Sequence, residues 1–269
     1  MKGGKIMNII AMTCMCVDVF DVSGEIRPGG EALNFAAIAS EYDNVSINIL
    51  GAIGDDDYGA AVLKSIDGKR INKNYIRIIS GATASHRIYL TEKGDRYFKE
   101  DSWNDGVYGI YRLTDADKEK IMNSNVVFTT YNCPNFDEVL KLRKNGNFQL
   151  AVDFNVIRDF DTLEDIVQYI DFFFISGEES ILSQFHKWSK HYDNIFNITL
   201  AENGSVTYFK GKEYRVDAVP VREVVDTTGC GDSYHAAFLC SYLNDANIIN
   251  AMNEGSRIAS KTLSHIGAF

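Results

Sequence analysis

Short apolar runs of strand length alternate with amphipathic stretches of helical period along most of the chain. That pattern predicts an α/β fold, a mainly parallel sheet covered by helices on both faces. Strands are predicted at residues 7–12, 46–50, 126–130, 149–153, 172–175 and 195–200. Helices are predicted at 31–42, 58–66, 136–143, 164–169 and 179–190, with two long ones, 231–243 and 248–264, closing the chain. Two segments break the rhythm. Residues 16–26 and 84–100 alternate with period two and have polar tips, and Glu92-Lys93-Gly94-Asp95 has the makings of a hairpin turn. With no helix between their strands, they are poor members of a parallel sheet. A further hairpin, 206–209 turning at Lys210-Gly211-Lys212, is expected to extend the main sheet.

There is no internal repeat and no low-complexity linker, and three prolines among 269 residues do not suggest linked modules. A single domain over 1–269 is expected. The formal net charge of −10 opposes nucleic-acid binding, because it repels phosphate backbones. The longest apolar runs are strand-sized and no signal peptide is visible, so no membrane span is expected. Five scattered cysteines offer no disulfide framework, and Cys14-x-Cys16 lacks the second ligand pair of a zinc site. Reduced thiols point to the cytoplasm.

The most informative stretch is Asp226-Thr227-Thr228-Gly229-Cys230-Gly231-Asp232, which runs directly into an amphipathic segment. Glycines at 229 and 231 let consecutive amides of the turn converge on one point. The helix that follows adds unpaired N–H groups and a positive dipole end, so the spot suits an anion. A carboxylate at 232 would repel that anion unless it is there to take a proton. The pairing suggests phosphoryl transfer to a hydroxyl with Asp232 as base. Aspartate also caps helices, so the turn alone leaves a purely structural role open.

The segment resembles one of the two signatures of the ribokinase-like (PfkB) carbohydrate kinase family. Gly29-Gly30, Asn34 and Ala36, followed by Gly51 and Gly54-Asp55-Asp56, resemble the other. The similarity runs from about residue 8 to residue 269. Several pieces are most similar to the family's fructosamine kinases: 54–59, 94–98, 202–205 and the tail from Ala259 to Phe269. The resemblance implies a three-layer ribokinase-like fold, in which 16–26 and 84–100 form a small β lid over a sugar site. It further implies ATP as donor, Mg²⁺ as cofactor and transfer to the 6-hydroxyl of a fructosamine. Pairing of two copies through the lid is compatible with the apolar residues Ile88, Tyr89, Leu90, Tyr97 and Phe98.

Residue roles follow from the match. The amides of Gly229, Cys230 and Gly231 would form the anion hole beside Asp232. Asp18, just past the first strand, would accept sugar hydroxyls. Gly29 and Gly30 would admit the sugar to the backbone, and Asn34 offers it both a donor and an acceptor. Arg87 on the lid could meet a carboxylate of the amino-acid moiety. Thr199, Gly204, Thr227 and Ser256 match nucleotide positions, and Asn155, in Asp153-Phe154-Asn155 with Arg158 following, points toward the phosphates. Glu179 would be the magnesium-side carboxylate. The chain departs from the family pattern at Cys230 (usually Ala), at Ala201 in Thr199-Leu200-Ala201 and at Ser176 in Ser176-Gly177-Glu178-Glu179. Glu31 stands where many ribokinases carry lysine. With Asp18, Asp21 and Asp101 it makes the expected acceptor region acidic, which suits a substrate carrying an amine. A kinase for fructose, ribose or a nucleoside and a catalytically silent binder are the competing expectations.

Overall fold

A computed structural model describes residues 6–21, 23–90 and 96–269. The chain begins with β1 (Met7–Ala11), β2 (Cys16–Phe20), β3 (Ile26–Gly29), α1 (Glu31–Ala39), β4 (Val45–Ile49) and β5 (Gly51–Gly54). It continues through α2 (Asp57–Ser65), β6 (Ile71–Asn72), β7 (Ile76–Ile79), β8 (Ala84–Leu90), β9 (Arg96–Phe98), α3 (Gly106–Ile110) and α4 (Asp115–Met122). Then come β10 (Val126–Thr130), α5 (Phe136–Asn145), β11 (Gln149–Asp153), α6 (Phe160–Val167), β12 (Phe172–Ser176) and α7 (Leu182–Trp188). The chain ends with β13 (Ile195–Thr199), β14 (Ser205–Phe209), β15 (Lys212–Val216), α8 (Cys230–Asp245) and α9 (Ile248–Thr262).

Nine strands form the main sheet in the order β15-β14-β13-β12-β11-β10-β1-β4-β6. From β6 to β13 all neighbours are parallel, and the β14–β15 hairpin adds antiparallel at one edge, as expected from the sequence. Alternate residues feed two cores. Ile9, Phe128, Phe172 and Phe174 pack with α1 and α8 on one face, while Ile10, Val127, Phe173 and Trp188 pack on the other. Being buried on both sides is why these strands read as unbroken apolar runs. In α1 every residue from Ala32 to Ala39 is buried, and Phe35 stacks on Phe128 at 4.0 Å. Four alanines in nine positions let this helix lie close between sheet and α8.

Residues 16–26 and 84–100 do leave the main sheet. They form a second one in the order β3-β2-β8-β9, whose central pair, β2 and β8, is parallel rather than hairpin-linked. The turn expected at 92–95 lies outside the described residues. Ile88 is fully buried, whereas Tyr89, Tyr97, Phe98 and Trp103 are 41–56% exposed; Tyr89 and Tyr97 pair on one face, Phe98 stacks on His86 on the other. Elsewhere the structure corrects details. The helix expected at 164–169 starts at Phe160, because Asp159 caps it through the Thr162 amide at 3.2 Å. The start of the helix expected at 179–190 is a 3₁₀ turn, Glu179–Ile181, before α7. The two-stranded parallel β5–β7 pair and helices α3 and α4 were not anticipated; two of the four β5 residues are glycine, which hides the strand signal. Among the described residues no helix is long and apolar enough to cross a membrane.

Candidate active site

Strand order reverses between β1 and β10: the chain builds outward to β4 and β6 on one side, then to β11, β12 and β13 on the other. Ligands of open α/β sheets bind at the carboxyl ends of the strands beside such a switch point. Here Thr13, two residues past β1, and Thr130, the last residue of β10, share a hydroxyl–hydroxyl hydrogen bond of 2.9 Å. Thr13 also donates to Glu31 Oε2 at 3.0 Å. A cavity of about 830 Å³ lies at the opposite end, lined by Ile6, Asn44, Asn250 and Arg257, and holds none of the sequence-predicted site residues.

Two helix starts converge on the switch point. Gly30, at φ 96°, turns β3 into α1, and a Cβ there would stand 2.5 Å from the Cys14 carbonyl oxygen. That close approach fixes the first turn of α1 and places Asn34 inward, 3% exposed. Gly229, at φ 69°, opens α8 and sets Asp232 in its first turn. Asn34 Nδ2 donates to Asp232 Oδ2 at 2.8 Å, joining residues 198 positions apart. The two halves of the sequence signature therefore meet, and Asn34 holds the expected base. Asn34 Oδ1 is buried without a hydrogen-bond partner among the described residues.

The surroundings are acidic. Asp153 ends β11, buried, with Oδ1 accepting the Asn155 amide at 2.8 Å. Loss of water around the Asp232 carboxyl, helped by nearby Glu31 and Asp153, raises it to about 8, against the pull of the Asn34 bond. Burial likewise raises Asp153 to about 7, and burial followed by the proximity of Asp153 raises Glu31. Among the described residues no lysine or arginine forms an ion pair with any of these three acids.

The other expected positions spread over the same rim. Asp18 is buried on β2, across from Arg27 and His86 in the strand register. Arg87 and Lys99 both pair with Asp21, at 2.8 and 3.2 Å, so Asp21 is neutralised and Arg87 is engaged. Asp101 is exposed at φ 52°. Thr227 is exposed in the loop before α8, and the Cys230 amide leans back on its carbonyl at 3.3 Å, a long bond that a better acceptor can replace. Asp226 ties this loop to the tail, accepting from Thr228 and Gly267 amides at 2.9 and 2.8 Å. Asn155, at φ 52°, links β11 to β12 by accepting the Ser176 amide at 2.8 Å.

A second cavity, about 440 Å³, opens beyond the ends of β12 and β13, between Gly177–Ser180 and Leu200–Asn203. Thr199 at its edge shares a hydrogen bond with Ser176 at 3.1 Å, and Gly204, at φ 81°, closes the loop. Glu179 is exposed and held in a two-point ion pair with Arg215 at 2.8 and 3.0 Å. Ser256 is buried on α9. Sequence reading did not single out Thr13, Thr130 or His235. The last had a usable signal: spacing of three from Asp232 on one helix puts both on a common face.

The crevice thus brings a carboxyl group to the first turn of a helix opened by a left-handed glycine. Residues 19–269 match the model of the pfkB family of carbohydrate kinases, and the chain belongs to that family. It is an ATP-dependent carbohydrate kinase, acting on a sugar and ATP. Among its curated relatives, the fructoselysine 6-kinase of Shigella flexneri is 26% identical over 257 residues, covering 94% of this chain and 96% of that one. The fructosamine kinase FrlD of Bacillus subtilis (strain 168) is 27% identical over 269 residues, covering 98% and 93%. In fold, the chain matches Arabidopsis thaliana ribokinase complexed with ribose and ATP at a TM-score of 0.83 and 18% identity, covering 97% and 94% of the two chains. Adenosine kinase from Sinorhizobium meliloti matches at 0.81 and 19%, covering 98% and 96%.

Proposed function

We propose that this kinase phosphorylates the 6-hydroxyl of a fructosamine such as fructoselysine, with Asp232 as the base. The sugar oxygen attacks the γ-phosphorus of ATP, its proton passes to Asp232, and the bond from phosphorus to the β–γ bridging oxygen breaks to release ADP. Asp18, Gly29, Gly30 and Asn34 hold the sugar. The amides of Gly229, Cys230 and Gly231 receive the charge of the moving phosphoryl group. Thr199, Gly204, Thr227, Asn155 and Ser256 border the nucleotide.

The observation that carries the substrate assignment is Glu31, which sits beside the acceptor crevice with the Thr13 hydroxyl and no lysine or arginine ion pair among the described residues. The amine of a fructosamine is cationic at neutral pH and relieves that charge; a neutral hexose does not. The near full-length relatives whose names specify fructoselysine and fructosamines support the same choice. A coupled ADP-release assay across fructoselysine, fructose, ribose and nucleosides tests it. We expect kcat/KM for fructoselysine to exceed that for fructose by about 10-fold or more, the equivalent of one modest ionic contact. Equal efficiency on the two sugars would remove the fructosamine from the assignment.

Magnesium suits the second cavity. The ion dehydrates reluctantly and needs one or two outer carboxylates, and the cavity rim supplies Glu178, Glu179 and Glu202. Glu179 would hold it through water, loosening its pair with Arg215. When bound, the ion would neutralise charge on the phosphates. The exposed aromatics at the β8–β9 edge of the second sheet would be covered by another copy, and equilibrium sedimentation of a Tyr97→Glu, Phe98→Glu variant should then show a monomer. A wild type that sediments as a monomer discards the pairing.

A further inference from the structure

His235 follows Asp232 by one helical turn on α8 and is 1% exposed. Its ring stacks on Phe174 with centroids 4.5 Å apart, which fixes its plane. Among the described residues neither ring nitrogen has a hydrogen-bond partner, an expensive condition for a buried imidazole. Nδ1 lies 3.5 Å from Asp153 Oδ2, just beyond hydrogen-bond length. Oδ1 of Asp153 already accepts the Asn155 amide, so Oδ2 is the oxygen left to carry a proton. One oxygen each of Asp153 and Asp232 and one nitrogen of His235 all fall within 4.8 Å of one another. Two carboxyls this close resist ionising together.

We propose that Asp153 and Asp232 form an unequal carboxyl pair, in which Asp153 Oδ2 carries a proton directed at Nδ1 of a neutral His235 and Asp232 is the ionised member. This rests on Asp232 being the base. Asp153 and His235 are then positioning residues: they act on the reaction by keeping Asp232 able to accept a proton. Titratable groups facing Asp232 are Glu31 at the head of α1, Cys230 and His235 on α8 and Asp153 on β11. Burial alone favours the opposite order, raising Asp232 to about 8 and Asp153 to about 7. Two contacts reverse it. The dipole at the start of α8 favours negative charge on Asp232, and His235 offers Asp153 an acceptor lone pair. Burial keeps His235 itself neutral, down to about 3, which places the pair's proton on the acid.

Nitrogen-15 NMR of the labelled imidazoles in the intact protein reads this directly. We expect His235 to stay a single neutral tautomer, with Nδ1 accepting a hydrogen bond, from about pH 5.5 to 9, a range in which free histidine would titrate. An imidazolium at pH 7, or Nδ1 protonated, overturns the proposal. Kinetics give a second reading. Asp153→Asn imitates the protonated acid, so it should keep turnover and leave the acid limb of the kcat/KM profile where it is, whereas a limb that moves down would show that Asp153 had been the ionised member. His235→Phe keeps the stack on Phe174 but removes the acceptor, so the same limb should move up. A fall in kcat with the limb unmoved in both variants marks a packing role and rejects the pair. If Asp153→Asn does not fold, the wild-type titration decides. If the wild type phosphorylates no sugar, the assignment of the base fails, while the spectrum still locates the proton.

Discussion

Asp232→Asn is expected to lower kcat by about 10²–10⁴-fold, the usual worth of a positioned base, while sparing the fold and ATP binding. Asparagine is close in shape, and its side-chain oxygen can still accept from Asn34 Nδ2, now at 2.8 Å from Asp232 Oδ2. It cannot take the hydroxyl proton. The same variant carries a signature in stability. Folding raises the Asp153 and Asp232 carboxyls together, to about 7 and about 8, so between roughly pH 4 and 8 the folded state keeps a proton on this pair that the unfolded state has lost. Stability from the pair is therefore fully present at low pH and is lost as pH rises through that window. The variant leaves Asp153 without a second carboxylate beside it, so its loss is smaller. Thermal melts should show it gaining on the wild type from pH 6 to pH 9. Near-normal turnover would remove Asp232 from the mechanism, and a constant gap in Tm would contradict a proton shared by Asp153 and Asp232.

Much of the fold was legible because central strands buried on both faces announce themselves as apolar runs. Residues 126–130 and 149–153 match β10 and β11 residue for residue. The ends of α1 and α8 were marked by glycines whose backbone role is visible in sequence. Less legible was anything decided by tertiary contact. That β2 lies parallel to β8, with Cys16 opposite Ala84, depends on a pairing 68 positions apart that no local pattern encodes. The same holds for the site. The sequence identified Asp232 and Asn34 as separate functional residues, one a base and the other a sugar ligand. Their 2.8 Å bond shows that Asn34 also fixes the Asp232 carboxyl. Arg87 was considered for substrate, and no local pattern shows that its guanidinium also meets Asp21, just past β2. His235 read as an ordinary residue of an amphipathic helix, because its missing hydrogen bonds exist only once β11 and β12 are packed beside it.

Gly229→Ala should be the most damaging small change in the site after loss of the base. The residue opens α8 at φ 69°, a conformation that costs an alanine about 1–2 kcal/mol. Space is shorter still: the added Cβ would stand 2.2 Å from Ala268 Cβ and 3.0 Å from Asn34 Nδ2. Either the tail shifts, pulling the Gly267 amide off Asp226, or Asn34 withdraws from Asp232. Both movements disturb the amides at the start of α8. If those amides stabilise the transferring phosphoryl group, kcat should fall about 10²–10³-fold, as for loss of an oxyanion-hole donor. Stability should drop by about 1–3 kcal/mol, the strain of a misplaced backbone residue. Cys230→Ala is the control next door. Its backbone amide is unchanged and its thiol makes one weak contact, 3.8 Å to the Ala259 carbonyl, so kcat should stay within about threefold. Steady-state kinetics with melting curves on the two variants separate the effects. A Gly229→Ala enzyme that melts earlier yet turns over normally would show that the α8 amides support the loop and not the chemistry, because the backbone they depend on would have been strained without cost to the reaction.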